Sequence, residues 1–117
     1  MLTEDHARTA LAFLALSDRE FAAGDKLQAS EKLWGAAAHA LMAIAMQNSR
    51  RLVRHNSFRD TAERLSDEHS DPSIEYGFAH AERFHRNFYH DDMTDYELNT
   101  LRPKVHDFVN RVVALLG

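Results

Sequence analysis

Residues 23–41 read AGDKLQASEKLWGAAAHAL, and no other segment is as informative about the architecture. Asp25 suits the N-cap of a helix, and Gln28 three residues later completes a capping-box pattern. A long helix is therefore predicted to begin here. The alanines at 36–38 would let a neighbouring helix approach closely beside the bulk of Trp34. We expect this helix to pack inside a group of other helices.

The segment before this helix is also helical in pattern. Thr3 is a plausible N-cap, followed by two acidic residues that favour the first turn of a helix. Gly24 should end this first helix, because glycine readily adopts the left-handed conformation beyond a helix C-terminus. The second helix, which starts at Asp25, is predicted to continue to about Asn48.

The middle of the chain predicts two more helices. Residues 56–57 suit a turn, and a shorter third helix is expected at about 58–68. Asp71 as N-cap and Pro72 at the first helical position predict a fourth helix over about 72–89.

The C-terminal segment begins with a capping box formed by Thr94 and Glu97. Pro103 is unfavourable inside a helix, because it lacks a backbone N–H and its ring crowds the preceding turn. We therefore expect a short helical turn at 95–101 and a separate last helix from about 102.

Composition supports an all-α chain, since it has four glycines, two prolines and many good helix formers among its 117 residues. The predicted fold is an antiparallel up-and-down four-helix bundle with a short additional helix, in a single domain over 1–117. The chain has no cysteine, which excludes disulfides and thiolate metal sites.

Charge and motifs narrow the function classes. The net charge of −4 argues against nonspecific coating of DNA. Dinucleotide, P-loop and zinc-peptidase motifs are absent, so no cofactor is expected. The chain shows neither a signal peptide nor an apolar run long enough for a membrane span. We expect a cytoplasmic protein that does not bind a membrane.

Residues 82–92, ERFHRNFYHDD, form the candidate catalytic cluster. On an ideal helix Arg83, Asn87 and His90 share one face, with Arg86 close by. The imidazole of His90 would act as acid or base, the arginines would hold phosphate, and Asn87 would orient either group. The alternative is that these polar side chains cap the end of an ordinary helix.

A second basic cluster follows the second helix and contains Arg50, Arg51, Arg54 and His55. These residues would contact substrate phosphates from a loop. Alternatively, their positive charge simply favours the C-terminal end of the preceding helix.

The chain has eight histidines, but no metal site is assigned. His80, His85 and His90 recur every five residues, and five residues turn a helix by about 140°, so the three diverge. A two-ligand site completed by another helix, for example through His39 or His106, stays open as an alternative. His39 lies among alanines and is expected to be a hydrogen-bonded core residue.

The last helix carries more apolar residues than a narrow packing seam requires, including Val112, Val113, Leu115 and Leu116. A homodimer would bury this excess. The alternative is that the same residues complete the core of a single chain.

Two motifs resemble the HEPN superfamily, and in particular small prokaryotic HEPN-like proteins. The first is the A-G-D-x-x-x-A-S-E-K-L-W-G-A-A-A-H-A pattern of residues 23–40, and the second is the aromatic N-F-Y that ends at Tyr89. The resemblance implies an up-and-down four-helix bundle with a short extra helix, often dimeric. Many members of that superfamily are metal-independent ribonucleases with an arginine, four to six residues and a histidine.

Three pairs match this spacing: Arg83 with His90 at the end of the predicted fourth helix, Arg50 with His55 after the second helix, and Arg64 with His69 at the end of the third. The function expected from the resemblance is association with RNA or nucleotides, with ribonuclease activity by the cluster of Arg83, Arg86, Asn87 and His90. The alternative is a non-catalytic interaction module, such as a partner of a nucleotidyltransferase in a toxin–antitoxin pair.

Overall fold

The computed structural model describes residues 2–48 and 55–117, and only the backbone of residues 55 and 56. Every regular element in these two ranges is an α-helix, which confirms the all-α prediction. The helices are α1 (Thr3–Ala22), α2 (Lys26–Gln47), α3 (His55–Glu68), α4 (Pro72–His90) and α5 (Asp95–Ala114).

The central element is α2, which packs against each of the other four helices. Its small side chains explain this position, because Ala29, Ala36, Ala37 and Ala40 have no exposed surface. Trp34 is also buried, and its ring lies 5.9 Å from the ring of Phe58 in α3. The alanines therefore let neighbouring helices approach α2 closely, while the bulk of Trp34 fills the space towards α3.

The contact between α4 and α5 depends on one glycine. A Cβ atom added at Gly77 would lie 2.5 Å from the Cβ atom of Phe108. The ring of Phe108 is buried beside that of Phe78, with 6.4 Å between their centroids. The absence of a side chain at position 77 thus sets how closely the two helices approach.

Three of the predicted helix starts are confirmed by their hydrogen bonds. The Asp25 carboxylate accepts the backbone N–H of Gln28 at 3.0 Å, and the Asp71 carboxylate accepts that of Ser73 at 3.1 Å. The hydroxyl of Thr94 accepts the N–H of Glu97, whose carboxylate in turn accepts the N–H of Thr94. Each of these three helices thus begins at a side chain that accepts a backbone N–H two or three residues later.

The start of α1 differs from the prediction, because Leu2 rather than Thr3 occupies the N-cap position. The Asp5 carboxylate accepts the backbone N–H of Leu2 at 3.3 Å. This bond draws Thr3 into the first turn. The predicted end is confirmed, since α1 stops before Gly24, which has a positive φ of 87°.

The start of α3 also differs, because the helix begins at His55 and includes the residues predicted to form a turn. The carbonyl of Ser57 accepts a hydrogen bond from the hydroxyl of Thr61 at 2.9 Å. This i to i+4 contact occurs within a helical turn. The predicted start at residue 58 is therefore wrong by one turn.

The structure joins the last two predicted segments into one helix, α5, which runs through Pro103. The predicted separation of a turn at 95–101 from the last helix is wrong. Proline cannot donate to the carbonyl of Asn99, but both residues are exposed, so water can solvate that carbonyl. Burial of Leu98 and Val105 holds the helix on either side of the proline.

The apolar side chains of α5 are used within one chain. Val105, Phe108, Val109 and Val112 are buried, and the later Val113, Leu115 and Leu116 are partly buried against the same core. The excess apolar surface from which a dimer was predicted is thus largely covered. None of the helices in the described ranges combines the length and apolar character that crossing a bilayer requires.

Candidate functional site

Asn87, one of the predicted catalytic residues, lies in the core with only 1% of its surface exposed. Its amide nitrogen donates to the Ser30 hydroxyl at 3.1 Å. Its side-chain oxygen accepts the backbone N–H groups of Asp92 and Met93 at 3.0 and 2.9 Å. All of these bonds connect α4 to α2 and to the segment after α4. Asn87 therefore does not share an accessible face with Arg83 and His90.

Arg83 is held by acidic residues beyond the end of α4. One guanidinium nitrogen lies 2.7 Å from the Asp92 carboxylate, and the other lies 3.6 Å from Glu97. The second nitrogen also donates to the Asp92 carbonyl at 3.3 Å. The hydrogen bond from Arg83 lowers the pKa of the Asp92 carboxyl below its ordinary value. The positive charge of Arg83 is thus locally neutralised at neutral pH.

Arg86 and His90 remain exposed on α4, one helical turn apart. Within residues 2–48 and 57–117, no carboxylate lies at ion-pair distance from either side chain. Of the four predicted catalytic residues, these two are the ones that a ligand could reach without breaking an ion pair. Asn87 and Arg83 are thus engaged in contacts within the fold. The other two predicted residues, Arg86 and His90, are accessible.

A groove runs between α3 and α4 on the same side as Arg86. It has a volume of about 420 Å³ and is lined by Arg59, Ala79, Glu82, His85 and Arg86, which we call the α3–α4 groove. The guanidinium of Arg59 pairs with the carboxylate of Glu82 at 2.7 Å across the two helices. Two arginines and one carboxylate leave the groove with a net positive charge.

Aromatic rings connect this groove to the core. The imidazole of His85 stacks on the indole of Trp34, with 4.7 Å between centroids and an angle of 27°. Its Nδ1 atom lies 3.4 Å from a carboxylate oxygen of Glu31. On its other side His85 meets the ring of Tyr89 edge-on at 5.4 Å, and Tyr89 is 68% exposed. The exposed Tyr89 is thus anchored by His85, which lines the groove.

The predicted basic cluster falls mostly outside the described residues. This applies to Arg50, Arg51 and Arg54, and only the backbone of His55 is described. His55 is the first residue of α3, and Arg59 follows it by one helical turn. Along the chain, the cluster therefore leads directly into the helix that lines the groove.

The histidines of α4 diverge as predicted. His80 is half-buried and lines a second groove, of about 360 Å³, between α4 and α5, whereas His85 points towards Trp34 and His90 is exposed. Burial lowers the pKa of His80, with a smaller effect from Lys104. In the part of the chain that the structure describes, no three histidine, aspartate or glutamate residues cluster as metal ligands.

Sequence reasoning missed Arg59, Glu82 and Tyr89 as members of this site. Arg59 and Glu82 are 23 residues apart, and no local pattern indicates that they meet across two helices. Tyr89 lies in the predicted cluster but on a different face from Arg83 and Asn87. The sequence carried one signal for this contact: Tyr89 follows His85 by four residues, and side chains at that spacing are neighbours on a helix.

One comparison with known proteins gives a match, which extends over almost the whole chain. The family model described as the archaeal PaREP1/PaREP8 family matches residues 5–109, from the first turns of α1 to the later part of α5. No curated protein and no solved structure matches the chain.

Proposed function

We propose that the chain, which belongs to the archaeal PaREP1/PaREP8 family, associates with RNA or nucleotides through the α3–α4 groove. The observation that carries the proposal is the exposed guanidinium of Arg86 beside the exposed ring of Tyr89. Guanidinium groups bind phosphate through paired hydrogen bonds, and tyrosine rings stack on unpaired bases. Arg59 lines the same groove, where its guanidinium is paired with the carboxylate of Glu82.

The proposed architecture is that of a HEPN-like domain. In it α1, α2, α4 and α5 form an antiparallel four-helix bundle, and α3 is the short additional helix. The packing of α2 against α1, α4 and α5, together with the contact of α3 mainly with α4, supports this assignment. The motif resemblance in residues 23–40 and around Tyr89 supports it independently.

Binding without cleavage fits the geometry better than catalysis. Metal-independent cleavage of RNA needs a base, an acid and positive charge at the phosphate. Burial of Asn87 and the ion pair of Arg83 with Asp92 leave Arg86 and His90 as the accessible groups. Without a rearrangement, one arginine and one histidine supply fewer groups than the proposed reaction requires.

The first test measures binding of a fluorescent single-stranded RNA by anisotropy at several salt concentrations. Arg86→Ala is expected to weaken binding about tenfold and to reduce the slope of log K against log salt by about one. Arg19→Ala is the matched control, because Arg19 is an exposed arginine on α1, which packs against α2 and α5. Equal affinities for the two variants would contradict the groove as the binding surface.

The second test separates binding from turnover. The protein and its His90→Ala variant are incubated with mixed RNA in the presence of a chelator. We expect intact RNA in both samples. Cleavage by the unmodified protein that is lost in His90→Ala would instead support the ribonuclease with Arg83, Arg86, Asn87 and His90 as its catalytic residues.

The second candidate function is a non-catalytic interaction module, either as a cytoplasmic homodimer or as a partner of a nucleotidyltransferase in a toxin–antitoxin pair. Three tyrosines favour it, since Tyr76, Tyr89 and Tyr96 are 64%, 68% and 79% exposed. Exposed tyrosines are common anchors of protein interfaces. Light scattering of the purified chain, with Tyr96→Ser and Tyr76→Ser variants, tests self-association; the mass of one chain at every concentration would contradict a homodimer.

A further inference from the structure

Two histidines face each other between α1 and α2, away from the α3–α4 groove. The Nδ1 atoms of His6 and His39 form a hydrogen bond of 3.0 Å with each other, and the ring centroids are 5.2 Å apart. His6 is 9% exposed, and His39 is half-buried. The ring of Phe13 meets His39 edge-on at 5.5 Å and limits its rotation. The pair is therefore preorganised by packing.

Both imidazoles are in a suitable state to bind a metal ion. Burial lowers the pKa of His6 and of His39, and the proximity of His6 adds to the effect on His39. A lowered pKa favours the neutral ring, which has one nitrogen with a free electron pair. In the hydrogen-bonded pair one Nδ1 carries the shared proton, and moving that proton to Nε2 frees both Nδ1 electron pairs for a metal ion.

We propose that His6 and His39 form a two-histidine binding site for Cu(II). Metal–nitrogen bonds of about 2.0–2.1 Å to two atoms 3.0 Å apart enclose an angle of about 90–95° at the metal. This is the angle between adjacent ligands in the tetragonal geometry that Cu(II) prefers. Imidazole nitrogen also suits this ion, because nitrogen ligands bind Cu(II) more strongly than Zn(II).

Water would complete the coordination. In the described ranges no third histidine or carboxylate joins this pair to make a group of three ligands. The site therefore provides two protein ligands. A bound ion would also link α1 directly to α2, and binding that favours the folded state raises the melting temperature. This inference does not depend on the proposed function of the α3–α4 groove.

The test titrates the protein with Cu(II) in a glycine buffer, which competes for loosely bound copper. The unmodified protein is expected to bind one equivalent. His6→Gln and His39→Gln should each bind it at least about tenfold more weakly, because each removes one ligand. His90→Gln, an exposed histidine on α4, is the matched control and should bind as the unmodified protein does.

Two further measurements complete the test. Circular dichroism establishes whether each variant is helical before the titration. Electron paramagnetic resonance of the unmodified protein with one equivalent of Cu(II) should show coupling to two imidazole nitrogens. Unchanged affinity in folded His6→Gln and His39→Gln, or a spectrum without two imidazole ligands, would overturn the proposal.

Discussion

The side-chain amide of Asn87 in α4 donates a 3.1 Å hydrogen bond to the hydroxyl of Ser30 in α2, and both side chains are buried. The Ser30 hydroxyl donates in turn to the carbonyl of Lys26 at 2.7 Å. The Asn87 oxygen accepts the backbone N–H groups of Asp92 and Met93. This network of hydrogen bonds thus joins α2 to α4 and holds the segment that leads into α5.

Replacement of Asn87 by alanine tests this role. Asn87→Ala leaves the N–H groups of Asp92 and Met93 without their acceptor and opens a small cavity, so we expect the free energy of unfolding to fall by about 2–4 kcal/mol. Urea denaturation measures the loss. Asn110→Ala, at an exposed position of α5, is the control and should change stability by less than about 0.5 kcal/mol. A similar small change in both variants would contradict the structural role of Asn87.

The contact between α4 and α5 predicts that two glycines differ in their tolerance of alanine. At Gly77 a new methyl group would meet the Cβ atom of Phe108, which is fixed to the backbone of α5. At Gly35 it would meet ring atoms of the half-buried Phe13, beyond its Cβ atom, so a small shift of the ring can relieve the contact. Overpacking at Gly77 should lower the free energy of unfolding by about 1–3 kcal/mol.

Gly35→Ala is the matched comparison for Gly77→Ala. Both substitutions add the same methyl group and gain about 1 kcal/mol of helix propensity. We expect Gly35→Ala to be close to neutral in urea denaturation. A larger loss at Gly35 than at Gly77 would show that the close approach of α4 to α5 is not as described.

The ion pair between Arg83 and Asp92 predicts a dependence of stability on pH. Because the folded-state pKa of Asp92 is lowered, the ionised carboxylate stabilises the fold above its ordinary value of 3.8, and this stabilisation disappears as pH falls through the lowered value. Asp92→Asn should therefore melt at a lower temperature than the unmodified protein at pH 7. The two melting temperatures should converge only as the pH falls from 3.8 through the lowered folded-state pKa of Asp92.

Asp67→Asn is the control for that comparison. Asp67 is exposed, and its substitution removes one negative charge without removing an Arg83 contact. Its melting temperature should differ little from that of the unmodified protein at either pH. A constant difference between Asp92→Asn and the unmodified protein from pH 7 to pH 2 would argue against the ion pair as its source.

The pairing of Arg59 with Glu82 predicts a gain of function in the groove. Glu82→Gln removes the carboxylate that neutralises Arg59, so RNA affinity should rise about three- to tenfold. Glu75→Gln, at an exposed position on the same helix, makes the same change in net charge. Anisotropy measurements in which both variants gain equally would indicate a general charge effect rather than a site at the groove.

Most of the secondary structure was predictable because its signals are local. Asp25, Asp71 and Thr94 cap helices through bonds to residues two or three positions away, and Gly24 adopts its positive φ just after α1. The error at Pro103 has a tertiary cause. Pro103 was expected to break α5, but burial on both sides of an exposed proline outweighs the loss of one hydrogen bond.

The candidate site was predictable only in part. The sequence placed the cluster of Arg83, Arg86, Asn87 and His90 near the end of α4, and Arg86 and His90 are exposed there. Spacing on an ideal helix could not show that Asn87 points into the core or that Arg83 turns to Asp92. Those outcomes depend on which side of α4 faces α2 and on the path of the chain after His90.

The amino-acid sequence alone thus determines which segments are helical, where most helices begin, and which side chains are available for chemistry. The three-dimensional packing decides which of those side chains meet: Arg59 with Glu82, Asn87 with Ser30, and His6 with His39. Caps and turns depend on partners a few residues away, whereas these pairs join residues on different helices. Their geometry exists only after the helices have packed, because packing sets the direction in which each side chain points.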